Sequence, residues 1–256
     1  MGEQPLLELK GASKRFGAVQ ALTNVDFRSF EGEVMALVGD NGAGKSTLIK
    51  GIAGIHTFDE GETFFDGRRV HIHAPRDCAA LGIEVVYQDL ALADNLDVVA
   101  NMFLGRERTG KFGRPLAPLD EVSMEQACID TLSSLSVTTL RSVRQLVAGL
   151  SGGQRQAIAV AKAVMWNSRL VILDEPTAAL GVAQTRQVLD LVRRLAHKGL
   201  AVIIISHNLH DIFEVADRIT VMRLGQRVAE LMSKDTNQQE VVEAITAGTL
   251  KSVPGM

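Results

Sequence analysis

The segment Gly39-Asp40-Asn41-Gly42-Ala43-Gly44-Lys45-Ser46 restricts this chain more than any other. The residues before it, Val34 to Val38, form an unbroken apolar run that glycine ends. That is the mark of a strand buried on both faces. A helix is expected from Lys45 towards Ala53. In this context each residue type has a task. The glycines let backbone N–H groups curl around a phosphate chain, and the helix adds its positive N-terminal end. Lys45 brings a cation to the outer phosphates, and the Ser46 hydroxyl, followed by Thr47, can ligate magnesium. A glycine-rich turn that carried Lys-Ser by chance would lack the two flanks.

The rest of the chain continues an α/β order. Leu6–Lys10 and Ala21–Phe30 read as strands, Asp66-Gly67 as a hairpin turn, and Pro75 as the first-turn proline of a helix that Gly82 ends. Ile83–Tyr87 is a further strand. From about Leu90 to Met165 the pattern is helical, with an exposed loop over Gly105–Pro118 and a helix over Val122–Leu135. The α/β alternation then resumes: strand Leu170–Leu173, helix Val182–Ala196, strand Ala201–Ser206, helix Leu209–Ala216 and strand Ile219–Leu224. A terminal helix is expected over Gln238–Ala247. The division this predicts is a single domain over 1–256, with an α/β core from 1–89 and 166–256 and a helical insertion over about 90–165.

Strand Leu170–Leu173 ends in two acids, Asp174 and Glu175, and Pro176 stops it. One acid after a strand is usually a helix cap. Two in succession at the carboxyl end of a buried strand stand where open α/β sheets bind ligands. Asp174 can orient magnesium, and Glu175 can accept a proton from a water that attacks a phosphate.

Leu150-Ser151-Gly152-Gly153-Gln154, lying between the glycine loop and the acidic strand end, completes a resemblance to the ABC ATPases. The resemblance covers about Leu7 to Ala247. It implies a P-loop NTPase core with an antiparallel β subdomain and an inserted helical subdomain. It also implies ATP and Mg²⁺ as ligands. Ser151, Gly152, Gly153 and Gln154 start a helix, so their N–H groups can bind a phosphate from outside. In the family that phosphate belongs to an ATP held on a second subunit. Phe16 resembles the aromatic residue that stacks on adenine. Gln88 resembles the glutamine that reaches magnesium and the attacking water, and His207 the histidine that contacts the γ-phosphate. His56, His71, His73, His197 and His210 match no motif and are expected on the surface or in packing.

Ala80-Leu81-Gly82-Ile83 and Asn101-Met102-Phe103-Leu104-Gly105-Arg106-Glu107 narrow the resemblance to the importers of ribose, xylose and fructose. It therefore implies a homodimer, polytopic permease subunits, a periplasmic or extracellular sugar-binding protein, and a peripheral place on the cytoplasmic face of the inner membrane. Two features depart from the common pattern. Many ATPases of that branch carry two cassettes, and this chain has one. Ala179-Leu180 is followed by Gly181 in place of the aspartate usual in the wider family, which removes a carboxylate from the dimer interface; relatives in the sugar branch often lack it too, so it reads as a trait of that branch.

Composition fits this reading. The 256 residues carry a formal net charge of -3 with no basic arm, which argues against nucleic acid as a partner. Met1 to Lys10 has no basic stretch before an apolar core, so no signal peptide is expected. The longest apolar run, Leu200–Ile205, is far shorter than the ~20 residues a membrane span needs. Cys78 and Cys128 read as buried, reduced thiols. A soluble ABC ATPase of DNA repair or translation would bring coiled-coil or zinc inserts, or basic linkers. A module that binds ATP without turnover would not need Glu175 and His207.

Overall fold

In the computed structural model, which describes residues 4–110 and 118–248, the chain forms two sheets. The first is antiparallel and contains β1 (Leu7–Phe16), β2 (Val19–Ser29), β4 (Glu60–Phe65) and β5 (Arg68–Val70), in the order β2-β1-β4-β5. The second contains β3 (Val34–Val38), β6 (Ile83–Val86), β7 (Leu170–Asp174), β8 (Ala201–Ile205), β9 (Arg218–Arg223) and β10 (Gln226–Met232). Its order is β10-β9-β3-β8-β7-β6, parallel except for the edge strand β10.

The apolar runs are unbroken because this sheet is covered on both faces. Val34, Ala36 and Val38 of β3, Val171 and Leu173 of β7, and Val202 and Ile204 of β8 face one core. Four helices supply much of that core: α3 (Val98–Phe103), α4 (Glu121–Ser134), α5 (Gly152–Val164) and α6 (Val182–His197). The alternate residues Met35, Leu37, Leu170, Ile172, Ile203 and Ile205 face a second core. That core is closed by α1 (Lys45–Ile52) and by Leu7, Leu9, Leu22, Val25 and Phe27 of the antiparallel sheet. The remaining helices are α2 (Pro75–Ala80), α7 (Leu209–Val215) and α8 (Gln238–Ala247).

Most expected elements are present, with two differences. β1 runs on to Phe16, where the sequence predicts an end at Lys10. Register shifts between Leu9 and Ala12 and between Ala12 and Lys14 break the alternation that marks a strand. β10 was not expected at all. All but its first residue are partly exposed, so the strand shows no clean two-residue period. It pairs with β9 across the two-residue turn Leu224-Gly225, where both φ angles are positive (48° and 77°). Residues 111–117 of the expected loop Gly105–Pro118 lie outside the described residues. Among the described residues no helix is long and apolar enough to cross a membrane.

One buried polar side chain organises the entry to the helical part. Asn101, on α3, is fully buried. Its Oδ1 accepts from the Ala93 N–H at 2.7 Å, and its Nδ2 donates to the carbonyls of Ala93 and Asp97, both at 3.0 Å. The amide thus replaces water for a loop that has no regular structure of its own. Asn101→Leu removes the amide and strands the Ala93 N–H, since the Ala93 and Asp97 carbonyls also accept from the Leu96 and Asn101 N–H groups. Such a group costs about 1–3 kcal/mol, so urea denaturation should show that loss, with faster hydrogen exchange at the Ala93 amide. A stability within a few tenths of wild type would mean the loop is held by other means.

Candidate active site

Strand register places the expected residues. Leu37 of β3 pairs with Ile205 of β8, Ile205 pairs with Asp174 of β7, and Leu173 pairs with Val86 of β6. The residues that follow these strands therefore leave one edge of the sheet side by side: the glycine loop from β3, His207 from β8, Glu175 from β7 and Gln88 from β6. This is the carboxyl edge, where doubly wound sheets bind ligands.

The glycine loop is shaped by contact. Gly39 has φ +149°, and a Cβ there would collide with the Met222 carbonyl. Gly44 has φ +100°, and a Cβ would sit 2.9 Å from Leu22 Cδ2 and 3.0 Å from the Ala21 carbonyl. Both positions need glycine to let the backbone pass. Within the loop, the Ala43 N–H donates to Asp40 O at 3.1 Å. Asn41, Gly42, Ala43, Gly44, Lys45, Ser46 and Thr47 line an open depression of about 440 Å³. A cradle walled by backbone at the start of α1 fits an anionic phosphate chain.

Lys45 is half-buried, and its Nζ donates to Gly39 O at 2.6 Å and Asp40 O at 3.0 Å. Burial lowers its pKa, while Glu175, Asp40 and Asp174 act the other way. Asp174 is held above the usual carboxylate range, first by burial and then by Glu175, with Lys45 and Lys50 opposing. The acids and the lysine therefore belong to one electrostatic unit.

Glu175 adopts a left-handed backbone, φ +50°, which costs a glutamate of the order of 1–3 kcal/mol. Its N–H donates to Ile205 O at 2.9 Å, so β8 holds the residue in this shape. The carboxylate is mostly buried. His207 Nδ1 lies 2.9 Å from its Oε2 while the histidine ring is largely exposed. The approach lacks hydrogen-bond alignment, and Oε2 has no hydrogen-bond partner. Gln88 is exposed at the end of β6.

Phe16 closes β1 opposite Val19, with its ring 48% exposed. Ser151 stands elsewhere, exposed at the N-cap of α5, where its hydroxyl accepts from the Gln154 N–H at 3.3 Å. Gln154 is engaged inside the chain: Oε1 accepts from the Ser151 N–H at 2.9 Å and Nε2 donates to Thr139 O at 2.7 Å. Gly152 and Gly153 let the start of α5 press against Leu180 and Gln184, since added Cβ atoms would lie 2.9 Å and 3.1 Å from them. The helix start thus rests on the segment that holds Gly181. None of Ser151, Gly152, Gly153 and Gln154 lines the depression of the glycine loop.

Sequence reasoning missed Val19, Gln20, Ala21, Leu224 and Gly225, which line that depression. Only Gly225 left a signal, as a turn glycine. It approaches closely enough to donate its N–H to Ala43 O at 3.0 Å, and a Cβ would lie 2.7 Å from Ala21 O.

The doubly wound sheet, the glycine cradle and the paired acids define a phosphate-loop nucleotide-binding protein. Comparison with known proteins carries this further. The sequence profile of the ABC transporter family matches residues 22–178. The chain belongs to the ABC transporter family. It is 45% identical over 248 residues to a fructose import ATP-binding protein of Rhizobium meliloti, covering 96% of this chain and 95% of that one. It is also 45% identical to a xylose/arabinose import ATP-binding protein of Sulfolobus acidocaldarius, covering 97% and 96%. A ribose import ATP-binding protein of Yersinia pestis is 40% identical over 99% of this chain but only 48% of its own length. Among solved structures, a nucleotide-free ATP-binding cassette from an ABC transporter aligns with a TM-score of 0.80 at 26% identity, covering 95% of this chain and 96% of that one.

The loop geometry makes a prediction about Lys45. A compact ammonium fits between the Gly39 and Asp40 carbonyls, and a planar guanidinium does not. Lys45→Ala and Lys45→Arg should both lose most ATP affinity in equilibrium titrations. Wild-type affinity in the arginine variant would contradict this geometry.

Proposed function

We propose that this chain is the ATP-binding and ATP-hydrolysing subunit of an importer for a monosaccharide such as fructose, ribose or xylose. The observation that carries the enzymatic part is the juxtaposition of the glycine loop with Asp174, Glu175 and His207 on one strand edge. The sugar class is taken from relatives that match nearly end to end.

The Gly39–Thr47 loop binds the phosphates, and Lys45 turns from its backbone carbonyls towards them. Ser46, Asp174 and Gln88 are the residues that would hold magnesium, which when bound neutralises charge on the phosphate oxygens. Glu175 receives the proton of the attacking water at its carboxylate. His207 keeps its exposed ring beside that carboxylate, within reach of the terminal phosphate. Phe16 stacks on the base.

Ser151 lies outside the depression that the glycine loop forms, and it is exposed. This supports a site completed by a second chain, with two copies enclosing two ATP molecules. Closure of that homodimer then moves polytopic permease subunits docked near Gln88 to Leu104, which in turn receive sugar from an external binding protein. A peripheral place on the cytoplasmic face of the membrane follows from that assembly. Choice of sugar rests with those partners.

Glu175→Gln keeps the shape and removes the base. It should bind ATP, remain as an ATP-dependent dimer in size-exclusion chromatography, and turn over roughly 10²- to 10⁴-fold more slowly in a phosphate-release assay. Near-normal turnover would remove Glu175 from this role. Wild-type chain that binds ATP but releases no phosphate, even with a co-purified membrane partner, would leave a binding module instead.

A further inference from the structure

His56, which matches no motif, sits where the base end and the phosphate end of the site meet. Its ring stands perpendicular to that of Phe16, with centroids 5.3 Å apart. Its Nε2 lies 3.0 Å from the carbonyl of Thr47, in the first turn of α1. A carbonyl only accepts, so Nε2 carries the proton and donates. The loop that bears His56 is fastened on both sides. The Ile55 N–H donates to Lys50 O at 2.9 Å, and the Asp59 N–H donates to Ser13 O at 2.8 Å. The Asp59 carboxylate accepts from Lys14 Nζ and from the Arg15 N–H, each at 2.7 Å. Lys14 Nζ in turn lies 5.4 Å from the Phe16 ring centroid. The end of β1 and the start of α1 are thus joined through residues 55–59.

An aromatic ring that is 48% exposed would otherwise sample several rotamers, and ordering it on binding costs entropy. We infer that His56 is a positioning residue for nucleotide recognition: it holds the Phe16 ring in the orientation that meets the base, and ties that orientation to the phosphate-side helix through Thr47. The inference rests on the reading of Phe16 as the base platform. Burial holds the imidazole pKa below its usual value, Lys14 and Lys50 add to this, and the Thr47 carbonyl and Asp59 oppose it.

The test separates base from phosphate. ATP and inorganic tripolyphosphate, which has no base, are titrated into wild type, Phe16→Ala, His56→Gln, His56→Phe and the Phe16→Ala/His56→Gln double variant. His56→Gln keeps a donor towards Thr47 and loses the ring; His56→Phe keeps the ring and loses the donor. A perpendicular aromatic pair changes an equilibrium by roughly 2- to 12-fold. His56→Gln should therefore weaken ATP by about that factor and leave tripolyphosphate unchanged. His56→Phe, which keeps the ring but loses the tie to Thr47, should fall between wild type and His56→Gln for ATP, and the double variant should be no worse than Phe16→Ala. Tripolyphosphate binding also shows that each variant has a folded phosphate loop. Wild-type ATP affinity in His56→Gln, or equal loss of ATP and tripolyphosphate, overturns the inference. If Phe16→Ala itself leaves ATP affinity unchanged, the base-platform reading fails and this inference falls with it.

Discussion

Parallel backbone pairing of Leu37 with Ile205, and of Ile205 with Asp174, sets the relative height of β3, β8 and β7. A slip of one residue in either pairing would turn every side chain of a strand to the opposite face. Ile203 and Ile205 are buried in one core and Val202 and Ile204 in the other, so a slip would exchange apolar for apolar and would be opposed by the need to repack two filled cores. The observed register brings the glycine loop, Glu175 and His207 to the same edge. The unusual backbone of Glu175 depends on it too, through the bond from its N–H to the Ile205 carbonyl.

Around this edge one lysine and two acids stand close to the glycine loop. Lys45 is held by two backbone carbonyls, and it pairs with neither acid. Burial, and then the neighbouring Glu175, raise the cost of ionising Asp174. The donor set proposed for the metal is one hydroxyl (Ser46), one exposed carboxamide (Gln88) and one carboxylate (Asp174). Among the described residues no group of three His, Cys, Asp or Glu side chains is arranged to hold a metal ion. A hard cation at such a site takes most of its ligands from phosphate and water. Metal and nucleotide are thus expected to arrive together.

Much of this was legible in the sequence, for identifiable reasons. Strands buried on both faces read as apolar runs, and β3, β7 and β8 were placed to within a residue or two. Motif residues sit at the ends of those strands, so Lys45, Asp174, Glu175 and His207 came with them. What escaped was half-exposed or held by backbone. β10 has no alternation, and the end of β1 is broken by bulges. Leu224 and Gly225 line the site through a turn whose backbone, not its side chains, makes the approach. Gln154 carries a motif identity, yet its amide is spent on Ser151 and Thr139. His56 reads from the sequence as a surface or packing residue, and it does pack, against Phe16 at the end of β1. No spacing rule could foresee that contact, because it depends on how the loop after α1 folds back onto β1.

The central claim is that one strand edge assembles a phosphate cradle and a metal-facing carboxylate, Asp174, that bind metal only together with nucleotide. Electron paramagnetic resonance with Mn²⁺ in place of Mg²⁺ tests it most directly. Without nucleotide, Mn²⁺ should remain free at micromolar protein. With ATP, one Mn²⁺ per nucleotide should become bound and show hyperfine coupling to ³¹P, and Ser46→Ala and Asp174→Asn should each weaken that uptake. Tight Mn²⁺ binding in the absence of ATP, or uptake with ATP that is indifferent to both substitutions, would contradict the account.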